Sequence, residues 1–294
     1  MPYAVNPIDH NRGTTGIQLT PQQSNEIWQN AIEASAVMQL AQRVNLPGSG
    51  ITIPIITGDP TADWVAESAE KPVSGSTFGM KQMTPYKLAV IELFSMEFKR
   101  DLPALYKALV ERLPQSIGKK FDETVFTGTA PGTNFDVLTN ANAISLGATA
   151  GVSFYQKLVG AYEVIGAADG ELSGWALSPA GKAMVMKAED GQGYPLFMPS
   201  NETNRIGQIL GSPVAISKKV YQQGTPNTIG FAGDWTQARY GIVDGINLAI
   251  SEEATINDGT QQINLWQRNM FAVRVEAEVG FIVKNINQFV KLTD

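Results

Sequence analysis

The chain has 294 residues, 22 basic and 28 acidic side chains, a net charge of −6, one histidine and no cysteine. Its length and its 43% hydrophobic residues permit a folded core in one large domain or two smaller ones. The acidic balance argues against a surface that grips nucleic acid phosphates, and the lack of cysteine excludes disulfides and thiolate metal sites. No stretch approaches the roughly 18 apolar residues of a membrane span, so we expect no membrane contact.

Motifs that carry enzyme chemistry are scarce. The single histidine, His10, lies in a polar leader, and no phosphate-binding, dinucleotide-binding or nucleophile-elbow motif occurs. The sequence therefore predicts no cofactor and no metal. Two acidic pairs, Glu252 with Glu253 and Glu276 with Glu278, have the composition of acid/base pairs, although a solvated or interface face explains them more simply.

The N-terminal region predicts an arm followed by a helix. Residues 1–19 are poor in hydrophobic side chains, and Thr20-Pro21 with a Gln three residues after the cap is typical of a helix start. A helical stripe that includes Ile27 and Trp28 should continue to about Arg43, before Leu46-Pro47-Gly48 ends it. This stripe needs a partner surface, either the core of its own chain or a neighbouring subunit.

A strand-rich segment follows and predicts a hairpin. Residues 50–58, GITIPIITG, alternate as a strand, 64–67 read as another short strand, and SAEKPVSGSTFG contains turn residues throughout. From Thr84 to Phe98 the pattern predicts one strand of about 14 residues, which spans roughly 45 Å. Because a two-stranded hairpin is marginal alone in water, its apolar faces favour a clamp on another subunit over an ordinary sheet segment.

A long amphipathic helix is predicted next. Apolar residues recur at three- and four-residue steps from Leu102 to Phe126, Asp101 is a candidate cap, and Gly128 with Pro131 should end the helix. Pro114 lies inside it and should kink it or split it near Val110.

The remaining chain predicts mixed strands and helices. A helix is expected between Phe154 and Gly170, a buried strand leading into a helix near Pro179, and a strand on either side of Gly211. Several short strands follow. The last long strand, MFAVRVEAEVGFIVKN, places its odd-numbered apolar residues from 271 to 283 toward the core and Arg274, Glu276 and Glu278 on the other face.

Together these motifs resemble a known family. AEKPVSGSTFG near the hairpin tip and FSMEFKRDLPALYKALVERLPQSIGKKFDETVFTGTAPGTNFDVL after it are similar to the major capsid protein of tailed bacteriophages, whose fold is shared with encapsulins. The resemblance implies an α+β capsid fold with an N-terminal arm, an extended β-hairpin loop, a peripheral domain with a long spine helix, and an axial α+β domain. The implied boundaries are 1–48 for the arm and helix, 49–98 for the hairpin and flanking strands, 99–138 for the spine helix, 139–262 for the axial domain and 263–294 for a closing strand shared with the peripheral domain.

The resemblance also implies a function. The chain would be a structural protein, not an enzyme, that assembles as pentamers and hexamers into the icosahedral head of a virion formed in the host bacterial cytoplasm. It would enclose double-stranded DNA without sequence-specific binding, beside portal and separate scaffolding or decoration proteins. Alternatives are an encapsulin-type compartment and, more remotely, a soluble α+β hydrolase using paired carboxylates. The intersubunit contact candidates are Ile27, Trp28, Trp64, Lys71, Phe78, Lys81, Tyr86, Arg274, Glu276 and Glu278.

Some relatives in this family cross-link their subunits, and the matching positions occur here. The resemblance implies Lys71 as the attacking amine, Asn269 as the amide and Glu276 as a base in an apolar site. Most of the family relies on noncovalent contacts. Since only about 20 residues precede the arm helix, we expect scaffolding to be a separate protein, to be unneeded, or to have been trimmed from the chain.

Overall fold

The computed structural model describes residues 35–58, 60–96, 102–148, 151–189, 194–197, 207–243, 245–257, 259 and 261–294, with only the backbone at 102–111, 113 and 114. The predicted arm, including Ile27 and Trp28, and the candidate cap Asp101 therefore lie outside the described residues. The chain forms two compact units. The described parts of 87–117 and 244–278 belong to the first, and those of 32–86, 118–243 and 279–294 to the second.

The secondary structure is mixed, which confirms the predicted α+β class. The helices are α1 (Ala36–Leu40), α2 (Leu102–Phe126), α3 (Phe154–Gly166) and α4 (Pro179–Met186). The strands are β1 (Gln42–Asn45), β2 (Ile51–Gly58), β3 (Thr77–Met83), β4 (Tyr86–Ser95), β5 (Asn142–Ser145), β6 (Gly174–Leu177), β7 (Gln208–Ile209), β8 (Ser212–Ile216), β9 (Thr228–Gly233), β10 (Ala238–Ile242), β11 (Asn247–Ser251), β12 (Thr255–Asn257), β13 (Gln262–Asn264), β14 (Met270–Val283) and β15 (Phe289–Thr293).

A six-stranded sheet organises the larger unit, in the order β5-β15-β9-β6-β8-β7. Helix α3 lays Leu158, Ala161 and Ile165 into its hydrophobic cluster, and it lies within the segment where the sequence predicts a helix. Strand β6 is buried throughout and leads into α4, where the Ser178 hydroxyl accepts a hydrogen bond from the Gly181 amide at 3.0 Å. These contacts confirm the predicted buried strand and helix start near Pro179.

Helix α2 runs without interruption from Leu102 to Phe126, so the predicted split near Val110 is wrong. A proline inside a helix costs about 3 kcal/mol, because it removes one hydrogen bond and crowds the preceding turn. Burial of the last turns supports the helix against this cost. Phe121 is buried among aromatic rings, with its centroid 6.1 Å from Phe281 and 6.2 Å from Phe135, and Phe126 lies 5.1 Å from Phe231.

A buried carboxylate from α2 holds the start of α1. Asp122 accepts hydrogen bonds from the Ser35 hydroxyl at 2.6 Å, the Ala36 amide at 2.9 Å and the Val37 amide at 3.2 Å. The two amides are free donors of the first helical turn, so Asp122 acts as a cap from a distant part of the sequence. This bond set joins the end of the arm to the spine helix.

The helix predicted to continue to about Arg43 is interrupted at Ser35, whose extended backbone precedes the short helix α1. The expected end near Arg43 is wrong, because α1 stops at Leu40 and the next residues form β1. Strand β1 pairs in parallel with β10, with Gln42 opposite Arg239 and Asn45 opposite Ile242. Hydrogen bonds between β1 and the distant strand β10 therefore outweigh the local helical pattern of these residues. Sequence reasoning considers only that local pattern.

The closing strand β14 confirms the predicted alternation. Its odd-numbered residues from Phe271 to Val283 are buried, whereas Arg274 is exposed and Glu276 and Glu278 are half-buried. In the larger unit its last five residues pair with β10. In the smaller unit β14 pairs with β11 and with β4.

The hairpin differs from the prediction in its second strand. Strand β2 pairs with β3, whereas the predicted long strand from Thr84 appears as β4, which pairs with β14 instead. The two strands are separated at Thr84-Pro85, where the proline lacks an amide to continue the ladder. The short strand predicted at 64–67 is also wrong, since those residues form the exposed loop between β2 and β3.

The buried carboxyl of Asp122 leads to a prediction about how the free energy of unfolding depends on pH. Burial raises the pKa of its carboxyl, while hydrogen bonds from Ser35, Ala36, Ser217 and Val37 act in the opposite direction. A raised folded-state pKa means that the stabilising contribution is complete below the ordinary aspartate range and is lost as pH rises through the folded pKa. Relative to Asp122→Asn, the wild-type protein should therefore gain unfolding free energy as the pH is lowered, measured by urea titration at several pH values.

A second substitution of Asp122 tests the contribution of its hydrogen bonds to stability. Asp122→Ala removes the acceptor of the Ser35 hydroxyl and of the Ala36 and Val37 amides, and should cost about 1–3 kcal/mol of unfolding free energy at neutral pH. Thr124→Ser, at a half-buried position of α2, is the control and should stay within about 0.5 kcal/mol of wild type. A pH-independent gap between wild type and Asp122→Asn would contradict the assignment.

Candidate assembly surfaces

The β2–β3 hairpin exposes an apolar face. Antiparallel pairing sets Ile56 opposite Phe78 and Pro54 opposite Met80. These four side chains point to the same side, because residues opposite each other in a ladder share a face. Ile56, Phe78 and Met80 are 64%, 72% and 81% exposed. The sheet contains only β2 and β3, so both of its edges lack a further strand in the described part of the chain.

The hairpin tip is a closed but exposed loop. Every residue from 60 to 78 is exposed, and Trp64 and Val73 are fully so. The Thr61 amide donates to the Ser74 hydroxyl at 2.8 Å across the loop, and this bond keeps its two sides together. The tip thus presents Trp64, Val73 and Lys71 to solvent, and of these Trp64 and Lys71 are among the predicted contact candidates.

The opposite face of the hairpin base is buried. Ile53 and Met83 pack with Leu46 and Ile282 in one hydrophobic cluster. Backbone approach is close here: a Cβ added to Gly241 would lie 2.7 Å from the Leu46 Cβ, and one added to Gly280 would lie 2.8 Å from the Met83 Cγ. Glycine at these two positions lets the hairpin base sit directly on the sheet.

An ion pair joins the base of the hairpin to its own unit. The Lys81 ammonium lies 2.7 Å from the Asp136 carboxylate and donates to the Val283 carbonyl at 2.6 Å. Asp136 also accepts a hydrogen bond from the Val283 amide at 2.9 Å. Tyr86 packs edge-on against Phe135, with ring centroids 6.1 Å apart. Lys81 and Tyr86, selected as intersubunit candidates, therefore make contacts within their own chain.

The smaller unit carries a charged sheet face. The Lys87 ammonium lies 3.6 Å from a Glu278 oxygen and 3.8 Å from a Glu276 oxygen, and the Arg274 Nε lies 3.2 Å from Glu276. Asn269 precedes β14 in a left-handed conformation, with φ of 53°. Glu276 thus has two cationic neighbours, Lys87 and Arg274, on this sheet face.

Comparison with known proteins identifies the family to which this architecture belongs. Residues 15–294 match the Phage capsid family. The probable major capsid protein gp17 of Mycobacterium phage L5 is 31% identical over 294 residues, which cover 94% of this chain and 89% of that protein. The chain belongs to the phage capsid family. Its capsid role is therefore structural, as the sequence predicted.

Solved structures agree on the fold of this capsid protein. A structure from Gordonia phage Cozz is 25% identical, with a TM-score of 0.71, and the match covers 88% of this chain and 86% of the other. The capsid of an empty GTA particle is 14% identical and has a TM-score of 0.68, with 99% and 95% coverage. The second similarity concerns the fold alone, and together they confirm the predicted capsid fold.

The acidic pairs do not form an enclosed site in the capsid protein. Glu276 and Glu278 share Lys87, and Glu253 is exposed. A cleft of about 290 Å³ is lined by Lys81, Phe135, Asp136, Val137, Asn140, Val283 and Ile286, and contains neither pair. Within the described ranges, no cluster of histidine and acidic side chains could hold a metal ion. No helix in that part of the chain is long and apolar enough to cross a membrane.

Sequence reasoning missed several residues of these surfaces. Ile56 and Met80 join Phe78 only because β3, and not β4, pairs with β2. The alternation of β2 with the Thr-Phe-Gly-Met segment could have indicated this pairing. Asp136 carries no local motif, and its role at the hairpin base depends on a contact 55 residues away in sequence.

Lys81→Met tests the hairpin anchor of the capsid protein. The variant removes the ammonium from Asp136 and Val283 while keeping an apolar chain of similar length. Because both partners are partly exposed, we expect a loss of only about 1 kcal/mol. Hydrogen exchange of the amides at 51–53 and 81–83 should accelerate. Lys87→Met, whose ion pairs are longer and more exposed, is the control, and equal exchange in both variants would rule out the anchor.

Proposed function

We propose that this chain assembles with copies of itself into the icosahedral head shell of a tailed phage, with the hairpin clamping neighbouring subunits. The observation that supports this proposal is the exposed apolar face formed by Ile56, Phe78, Met80 and Pro54, next to a tip in which every described residue is exposed. A two-stranded ribbon has no second layer of its own to cover such a face, so another molecule must do so.

Burial of this face by a second copy provides the driving force. A fully buried phenylalanine or methionine contributes about 1.5–3 kcal/mol relative to its exposed state. A single contact of this size is weak, but a closed shell repeats it at every subunit, and the contacts reinforce one another. The hairpin base is fixed by Lys81 and Met83, which positions the apolar face before a neighbour arrives.

The predicted roles of the other segments belong to the same proposal. The arm at 1–48, with Ile27 and Trp28, reaches over a neighbour, and the axial domain at 139–262 meets its copies in pentamers and hexamers. Arg274, Glu276 and Glu278 form a charged face for such contacts. The domain boundaries of the arm, hairpin, spine helix, axial domain and closing strand stay a prediction.

The shell would enclose DNA without reading its sequence. With a net charge of −6, the subunit offers little general attraction to phosphates, which suits a container that must not adhere to its contents. We place the protein in the virion head, assembled in the cytoplasm of the host bacterium, where portal and separate scaffolding or decoration proteins take part.

We also propose that the subunits associate noncovalently. An isopeptide bond between Lys71 and Asn269 would need a base held in apolar surroundings. Glu276 instead lies 3.2 Å from the Arg274 Nε and 3.8 Å from the Lys87 ammonium. This setting supports an electrostatic role for Glu276 rather than proton abstraction.

The hairpin face is tested with Phe78→Ser combined with Met80→Ser. The double variant should unfold like wild type, because both side chains are exposed, but should lose shell assembly. Electron microscopy and size-exclusion chromatography measure the outcome. Gln82→Ser, on the same strand near the base, is the control and should assemble. Full assembly of the double variant would refute the clamp, and wild-type shells that carry protein cargo without DNA would indicate the encapsulin-type alternative.

Denaturing gel electrophoresis tests the covalent alternative. Mature particles should give a single band near the 31.7 kDa of the monomer. A ladder of higher bands that disappears in Lys71→Arg would show that subunits are cross-linked and would overturn the noncovalent proposal.

A further inference from the structure

The two ends of the hairpin carry opposite charge. The described part of the tip, residues 60–76, contains Asp63, Glu67 and Glu70 against a single cation, Lys71. All four side chains belong to exposed residues. The tip of the hairpin is therefore an acidic projection that also carries the apolar Trp64.

Two cations lie beside the base of the same hairpin. Arg239 is opposite Ile282 in the β10–β14 ladder, and Ile282 packs with Met83 of β3. Lys284 directly follows Val283, whose carbonyl accepts the hydrogen bond from Lys81. Both cations are thus anchored to the sheet on which the hairpin base rests.

These cations lack a full counter-charge. Within the described residues, neither Arg239 nor Lys284 forms an ion pair, and the buried Nε of Arg239 has no hydrogen-bond partner. Burial and then the nearby Arg239 lower the pKa of Lys284, whereas Asp234 acts in the opposite direction. Asp234 is itself buried and already accepts hydrogen bonds from the Thr236 amide at 3.0 Å and hydroxyl at 2.6 Å.

The third cation near the hairpin base differs from these two. Lys81 is neutralised by Asp136 at 2.7 Å. Within the described residues, Lys81 therefore has an ion-pair partner, whereas Arg239 and Lys284 have none. A guanidinium and an ammonium that have no ion-pair partner are suited to a carboxylate, which forms charge-assisted hydrogen bonds with such groups.

We infer that the acidic hairpin tip of one copy docks on Arg239 and Lys284 at the hairpin base of the next copy. The inference rests on the proposed clamp and names the surface that its tip meets. Tip and base are different surfaces of the same chain, so the contact is heterologous and repeats from subunit to subunit around a ring. A carboxylate between Arg239 and Lys284 reduces the repulsion between these two cations. Docking likewise reduces the repulsion among the three acidic side chains of the tip.

The test is a charge exchange between the two ends. Glu67→Lys with Glu70→Lys reverses the tip, and Lys284→Glu reverses one cation of the base. Each change alone should lower the yield of shells about tenfold, because like charges then face each other. The combination of both changes should restore most of the yield. Glu163→Lys and Lys187→Glu, both exposed elsewhere, are matched controls and should assemble as wild type.

Folding and salt provide independent readouts. Thermal unfolding of each variant shows whether the subunit still folds. If Lys284→Glu does not fold, Arg239→Gln replaces it. Arg239→Gln should lower the shell yield about threefold at low salt. The reduction should be smaller in about 1 M salt, where charges are screened beyond about 3 Å.

The outcomes separate this inference from the clamp itself. If the charge variants assemble normally while Phe78→Ser with Met80→Ser does not, the clamp stands and the docking site is wrong. If folded single variants fail and their combination does not recover, the pairing of tip with base is wrong. If Lys284→Glu or Arg239→Gln assembles normally but retains less DNA in the shell, the cations bind phosphates and the inference is overturned.

Discussion

A two-stranded β-ribbon has two faces, and the described residues of this chain cover only one of them over part of its length. The inner face at the hairpin base lies on the sheet because Gly241 and Gly280 leave room for Leu46 and Met83. Beyond that contact the described ribbon continues with Phe78, Met80 and Ile56 in solvent. Burial of apolar surface is the main favourable term in association, so this exposed face is the basis of the proposed contact with a second molecule.

Packing within the larger unit holds the base of the hairpin in place. Aromatic packing around Phe121 and Phe126 supports the end of the spine helix, and Asp122 ties the beginning of α1 to it. The hairpin base is held by a buried methionine and by the ion pair between Lys81 and Asp136. A projection anchored in this way presents its exposed face and its acidic tip at a defined position, which lowers the entropy lost when a neighbour binds.

Charge and hydrophobic burial have different roles on this ribbon. In the proposed contact, the apolar pairs supply most of the free energy, whereas the acidic tip and the cations Arg239 and Lys284 supply orientation. Exposed ion pairs contribute little to affinity but penalise wrong arrangements through like-charge contacts. A repeated contact that is weak and directional suits a large assembly, because misplaced subunits can dissociate before the shell closes.

The sequence by itself determined the features that depend on local pattern and order. The alternation of β14, the helix at α3 and the buried strand before Pro179 follow from side-chain periodicity along one segment. The resemblance to a known family came separately, from the hairpin and spine motifs. These features were sufficient to predict the capsid fold and the structural role.

Only the tertiary structure decided which strands pair and which side chains meet. Tyr86–Ser95 has an equally good strand pattern in a hairpin or beside β14, and the proline at 85 breaks the ladder that would have joined it to β3. Gln42–Asn45 became a strand because β10 offered backbone partners. The positions of Asp122, Asp136, Arg239 and Lys284 likewise depend on partners far away in the chain. Periodicity reports which face of a segment is apolar, but the free energy that selects its partner comes from contacts between segments, which no local pattern contains.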